Sequence, residues 1–245
     1  MLKGFFDSSG SNEPQHRAVT LAGLSASEAV WPDFDLAWIE AVQRLGLKRW
    51  RTSTMHAIMT TEAFYEAVDK LLDVISDFRE RPMVSYRATV ILADYRRARA
   101  EFPALMQAEA LCVDGCIGNL VFPTEEDIPA VIYFDRDEPF KSQIEGVWRK
   151  RCKMYDRDWS RQIADILPTH WDKCGIQAAD LFAWLSNTYE ALKRRDDAPL
   201  AERNMMMDLS LHAFFSVYPR GMVYDYDKIV AAYRRRQGSQ PTTAR

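Results

Sequence analysis

The sequence predicts an α/β fold built on one mixed sheet, and three observations carry that reading. Two β-type runs, "LKGFFD" (2–7) and "AVTLAGL" (18–24), lie close together at the start of the chain. Segments with apolar residues at helical period follow, and they alternate with further strand-like runs. One of those runs, "IPAVIYFD" (128–135), is continuously apolar, which suits a central strand covered on both faces.

Taken in order, the first two runs are joined by the polar, turn-rich "SSGSNEPQHR", so a hairpin of adjacent antiparallel strands is the simplest arrangement. In "WPDFDLAWIEAVQRLGL", Trp31, Phe34, Trp38, Val42 and Leu45 recur at three- and four-residue steps and predict a helix. "KRWRTSTMHAI" reads as a basic, irregular link. "TTEAFYEAVDKLLDVISDFRER" is the clearest helix, capped by Thr60 or Thr61 and ended by Pro82. "MVSYRATVI" (83–91) is β-branched and predicts a strand. The stretch from Asp94 to Phe122 predicts helix broken near Pro103, and 138–153 predicts another with Pro139 in its first turn. "QIADILPTHWD" holds room for one more short strand. "GIQAADLFAWLSNTYEALKRR", "NMMMDLSLHAFFSVY" and "DYDKIVAAYRRR" predict three further helices. There is no internal repeat and no evident linker, so residues 1–235 are expected to form a single domain and 236–245 a loose tail.

Composition narrows the classes. The 245 residues are 47% hydrophobic, ample for a packed core and contrary to disorder. The net charge of −3 supplies no global basic field for nucleic acid, so any such contact must come from local patches. The N-terminal apolar stretch is too short for a signal peptide, and no run reaches 18 apolar residues, so no membrane span is expected. Of Cys112, Cys116, Cys152 and Cys174, only the first two are close, without a nearby His or second pair. The thiols therefore read as reduced core residues of a cytoplasmic chain rather than a zinc site or a disulfide framework.

Three carboxylates sit where carboxylates are costly. Asp7 ends the first apolar strand, and Asp135 ends the most apolar one. Asp180 shares a helical face with Ile176, Ala183 and Trp184. A buried lone carboxylate costs several kcal/mol unless paired or metal-bound. Bland readings exist for each: a turn or helix cap for Asp7 and Asp135, a salt bridge or a boundary position for Asp180. The joint pattern favours a site, because strand ends in a sheet-centred fold gather beside helices. Converging carboxylates suit Mg²⁺ or Mn²⁺, and two such ions roughly 4 Å apart support phosphodiester cleavage. For Glu138, three residues past Asp135, two readings stand. It turns back toward the site, or it merely favours a helix N-terminus.

Three segments together resemble the bacterial and phage "domain of unknown function 3800" family, which is placed with the ribonuclease H-like folds. They are "FFDSSG", "IYFDRDEPF" and "IQAADLFAW", supported by the Gly-bearing strand "TLAGL", the Trp-bearing helix after it and the His in "MHAI". The resemblance covers about residues 2–190 and implies a five-stranded mixed sheet, its first three strands antiparallel, flanked by helices. Helices beyond residue 190 are then C-terminal additions. It implies that Asp7, Asp135 and Asp180 bind divalent metal, and hence a metal-dependent phosphodiester hydrolase, a nuclease. One residue departs from the pattern: Ser8 stands where the family usually has Glu, and a hydroxyl is a weaker metal ligand. A weaker site, recruitment of Glu138, or a non-cleaving module that binds nucleic acid or protein all follow from that departure.

Further candidates are His56, as a proton carrier or phosphate contact, and Gln177, one turn before Asp180, as a group orienting substrate or metal-bound water. Each has a plain alternative, a polar link residue for His56 and a helix-surface amide for Gln177. Basic stretches at 47–51, 95–100, 148–153 and 233–237 could meet phosphates, and Trp50 and Trp148 could stack on bases. Nucleic acid is the expected partner if such stretches line one groove with the acidic cluster. The sequence leaves a protein partner or a homo-oligomer open.

Overall fold

A computed structural model describes residues 1–11, 13–78, 80–81, 83–120, 129–154, 163–195, 198–216 and 218–238. Six strands form one sheet: β1 (Leu2–Ser9), β2 (Ala18–Ser27), β3 (Val84–Ile91), β4 (Ala130–Asp135), β5 (Ile163–Thr169) and β6 (Tyr218–Tyr224). Their order is β5-β4-β1-β2-β3-β6. β1, β2 and β3 are successively antiparallel, β4 runs parallel to β1, β5 parallel to β4, and β6 parallel to β3.

The expected count of five strands is corrected to six. β6 reads "YPRGMVY", whose Pro219 and Gly221 suppress strand propensity. Proline is tolerated there because β6 is an edge strand. The link at 48–58 is also not wholly irregular. A short helix, α2 (Thr52–Ile58), follows α1 (Trp31–Arg44) and buries Thr52 and Met55. The remaining helices are α3 (Thr61–Asp77), α4 (Leu92–Glu101), α5 (Ala108–Leu120), α6 (Lys141–Met154), α7 (Cys174–Leu192), α8 (Leu200–Ser216) and α9 (Tyr226–Gly238). Thr60 caps α3 by accepting the Ala63 N–H, and the expected break near Pro103 separates α4 from α5. α6 starts at Lys141, so Pro139 precedes it rather than occupying its first turn. α9 runs to Gly238, three residues into the expected tail; the rest of that tail, Pro82 and the Trp148 and Cys152 side chains lie outside the described residues.

Period-two alternation divides the core in two. Ala22, Leu24 and Ala26 of β2 face one layer with α1, α3, α7 and α8, while Val19 and Leu21 face the other with α4, α5, α6 and α9. β2 is thus buried on both faces. In β1, Phe6 joins the second layer and Phe5 the first, where it stacks on Tyr133 and meets Trp31 edge-on. Asp7, the next residue of that parity, therefore points to the α7 face. β4 follows the same rule: Ile132 and Phe134 join the second layer, and Asp135 falls with Tyr133 on the α7 face. Phe6 lies opposite Phe134 in register, so the two aspartates leave neighbouring parallel strands at one level.

α7 approaches this sheet closely because Gly175 carries no side chain. A Cβ there would stand 2.5 Å from Phe5 Cγ, and Phe5 is held between Trp31 and Tyr133. Gly175→Ala is expected to overpack this contact by about 1–3 kcal/mol. At about 2–4 °C per kcal/mol for a chain of this size, thermal melting should record a fall of several degrees. An unchanged melting temperature would show that α7 has room to move.

Candidate active site

The C-terminal ends of β1 and β4 and one face of α7 enclose a cavity of about 290 Å³. Asp7, Asp135, Glu138 and Asp180 all line it. The turn after β4 supplies Glu138: its N–H bonds the Asp135 carbonyl at 3.0 Å, and its buried side chain folds back over the end of β1. There Glu138 Oε1 accepts the Ser8 hydroxyl at 2.5 Å and the Phe140 N–H at 2.9 Å, while Oε2 accepts the Ser8 N–H at 3.2 Å. Asp180 Oδ2 accepts the Thr52 N–H at 2.6 Å, which ties the start of α2 to the site. Asp135 is more peripheral; its Oδ1 receives the Asp137 N–H at 3.4 Å.

α7 is apolar around most of its circumference, but Gln177, Asp180, Trp184 and Asn187 form a stripe along it. Asn187 Nδ2 donates to the Ser9 carbonyl at 2.9 Å and to the Ala18 carbonyl at 3.0 Å, closing the turn that follows Asp7. In that turn Gly10 has φ 77°, the left-handed region, and a Cβ would overlap the Ala18 carbonyl. Gln177 spends its whole amide on the protein. Its Oε1 accepts the Trp50 N–H at 2.8 Å and Trp38 Nε1–H at 3.2 Å, and its Nε2 donates to the Asp172 carbonyl at 2.8 Å. Gln177 therefore fastens the 48–52 link to the loop after β5.

Electrostatics follow from the crowding. Burial pushes the Asp7 carboxyl well above the usual Asp range, and the Glu138 and Asp180 charges push it further. Burial also raises Glu138, against hydrogen bonds from Asp7, Ser8 and the Phe140 N–H that favour its anion. Asp180 is raised by burial and held back by Thr52, Asp7 and the Arg51 charge. Asp7 is thus the carboxyl of the three held most strongly toward its neutral form.

The chemistry of these donors fits a hard divalent cation, since all are carboxylate oxygens gathered on one wall. Among the described residues no three acidic, His or Cys side chains already stand at ligating spacing. All four carboxylates line the cavity, and Glu138 does so with its oxygens also accepting from Ser8 and Phe140. The chain matches no protein-family model and no curated protein. The family resemblance accordingly rests on the three quoted segments.

The remaining candidates divide. Ser8 stands at the site as the hydrogen-bond partner of Glu138. His56 does not line the cavity; its ring meets Phe64 and Trp184 at 5.0 and 5.4 Å between centroids. Trp50 is fully buried, stacks on Phe64 and donates Nε1–H to Thr52, so it offers no face to a base. Of the thiols, Cys112, Cys116 and Cys174 are free and buried, away from the cavity. No helix among the described residues is long and apolar enough to cross a membrane. Sequence reasoning did not single out Trp171, Thr52 or Asn187. Trp171 carried one usable signal, its position just past a parallel strand, where sheets of this kind bind ligands.

The Asp7 proton is held more tightly in the folded chain than in the unfolded one. Its stabilising contribution is therefore complete below the ordinary value of 3.8 and is lost as pH rises through the raised folded value. Asp7→Asn, which keeps the shape and removes the titration, is expected to raise the melting temperature by a few degrees at pH 7.5 in EDTA. The gain should shrink toward zero as pH falls to about 4. A gain independent of pH would mean that ionisation of Asp7 is not its source.

Proposed function

We propose that this chain is a divalent-metal-dependent phosphodiester hydrolase, a nuclease on a ribonuclease H-like core. One observation carries the reading. Asp7 and Asp135 at adjacent strand ends and Asp180 on α7 meet in one cavity, with Glu138 against the first of them. The sheet supports it: β1 to β3 are successively antiparallel within a mixed sheet, as the resemblance implies, and β6 adds a sixth strand at the edge beside β3. Buried free thiols accord with a cytoplasmic chain.

Asp7, Asp135 and Asp180 would hold Mg²⁺ or Mn²⁺, most simply as a pair. A bound pair of this kind activates the attacking water and stabilises the leaving oxygen. The protein's own part is to place and protonate. Asp7 must give up its proton before it can ligate, so occupancy is coupled to proton release. Glu138, buried and raised, is suited to take a proton from the nucleophile and pass it on. Thr52 and Ser8 fix the orientations of Asp180 and Glu138.

Asp180→Asn and Asp7→Ala are each expected to lower Mn²⁺-dependent cleavage of an oligonucleotide at least a hundredfold, with the melting temperature retained. Cleavage at the wild-type rate by either variant would end the assignment. The grip of Ser8 and Phe140 on Glu138 favours a second reading, a module that binds nucleic acid without cutting it. That reading requires saturable oligonucleotide binding with no turnover in Mg²⁺ or Mn²⁺, and measurable turnover rules it out.

A further inference from the structure

We infer that the mouth of the cavity is a nucleotide subsite in which Trp171 stacks one base of a single-stranded polynucleotide and Arg51 meets the adjoining phosphate. The inference rests on the hydrolase site of the preceding section and names the substrate class that site admits.

Trp171 follows the end of β5 by two residues, so it stands beside the strand ends that carry Asp7 and Asp135. Trp31, Trp38 and Trp50 are buried in the core, whereas Trp171 and Trp184 are partly exposed on the cavity wall, and Trp184 is packed edge-on against Phe64. Two guanidinium groups lie over its ring, Arg49 at 5.2 Å and Arg51 at 5.8 Å from the centroid. Arg49 also reaches Asp172 at 3.7 Å. Arg51 is exposed, lines the cavity and forms no ion pair among the described residues. Its charge favours the Asp180 anion across the same cavity.

This grouping is built rather than incidental. Arg49 and Arg51 come from the link before α2, and Trp171 from the loop after β5. The buried Gln177 amide fastens both, through the Trp50 N–H and the Asp172 carbonyl. An aromatic face beside cationic side chains is the chemistry that takes unstacked bases and their phosphates in a sequence-tolerant way. Size gives the strandedness. At about 290 Å³ the cavity lies at the lower limit of small-molecule sites. It can admit one nucleotide unit with its phosphate turned inward, whereas a paired base cannot leave its stack without added cost. The chain's net charge of −3 provides no general attraction for a duplex backbone.

The test measures binding apart from cleavage, by fluorescence anisotropy in Mg²⁺. The probes are a labelled single strand with a non-hydrolysable backbone, the same strand without bases, and the matching duplex. The wild-type protein is expected to bind the single strand about tenfold more tightly than either control. Trp171→Ala should erase the preference over the abasic strand, and Trp171→Phe should keep most of it. Where alanine lowers the melting temperature, Trp171→Leu preserves apolar bulk without a π face and must also lose the preference. Arg51→Ala should weaken the normal and abasic strands alike and flatten the salt dependence.

A preference that survives in both Trp171→Ala and Trp171→Leu overturns the subsite, as does equal binding of duplex and single strand. Parallel cleavage assays in Mn²⁺ separate the two readings. Turnover with no role for Trp171 leaves the hydrolase and removes the subsite. Base-dependent binding through Trp171 without turnover leaves the subsite and removes the hydrolase.

Discussion

Asp7, Glu138 and Asp180 share one poorly hydrated corner, and the cost of holding like charges there organises the surrounding structure. Without a cation, that cost is met by local means. Asp7 is held toward its neutral form, Glu138 collects the Ser8 and Phe140 donors, and Asp180 takes the Thr52 N–H and the field of Arg51. A structure serving stability alone would place apolar side chains here, since well-packed hydrophobic residues usually match or exceed buried ionic groups. Perturbed carboxylates in a cleft are instead what sites of proton or metal chemistry require.

The sheet explains how residues so far apart in sequence arrive together. β1, β4 and β5 run in parallel, so their C-terminal ends open on one side, and strict alternation turns Asp7 and Asp135 to the same face. α7 crosses that face at close range because Gly175 lets it rest on Phe5. The helix then works as a ruler. Gln177 clamps the two loops of the cavity mouth, Asp180 completes the cluster, and Asn187 closes the turn behind Asp7. Site and scaffold are therefore one object, and removing the Gln177 or Asn187 amide would leave buried partners unpaired.

Much of this was legible in the sequence because burial and charge conflict openly there. A carboxylate that ends an apolar strand, or interrupts an apolar helix, is visible without coordinates. The strands β1 to β4 were legible for the related reason that their apolar or β-branched runs end at turn-forming residues, whereas β5, with Asp165 and Pro168 inside it, showed only as room for a short strand. β6 was not, because Pro219 and Gly221 hide a strand that only an edge position permits. α2 was hidden by its length, since seven residues with two buried positions carry no period to read. The choice between site and helix end for Glu138 depended on where α6 begins. With the helix starting at Lys141, Glu138 lies in the turn before it, free to fold back over β1. His56 and Trp50 show the opposite limit. Residue type suggested chemistry for both, and packing against Phe64 gave each another role.

Ser8 is best understood together with Glu138. In the family that the sequence resembles, a second carboxylate usually stands at the place of Ser8. Here the Ser8 hydroxyl lies 2.5 Å from Glu138 Oε1, and its N–H bonds the other oxygen. A glutamate at position 8 would set a further negative charge against one already buried beside Asp7, and the N–H donors present could not offset both. The neutral hydroxyl does the reverse, donating to the anion and holding it at the end of β1. The departure at Ser8 thus leaves one carboxylate fewer at the end of β1, and the Ser8 hydroxyl and N–H hold Glu138 there instead.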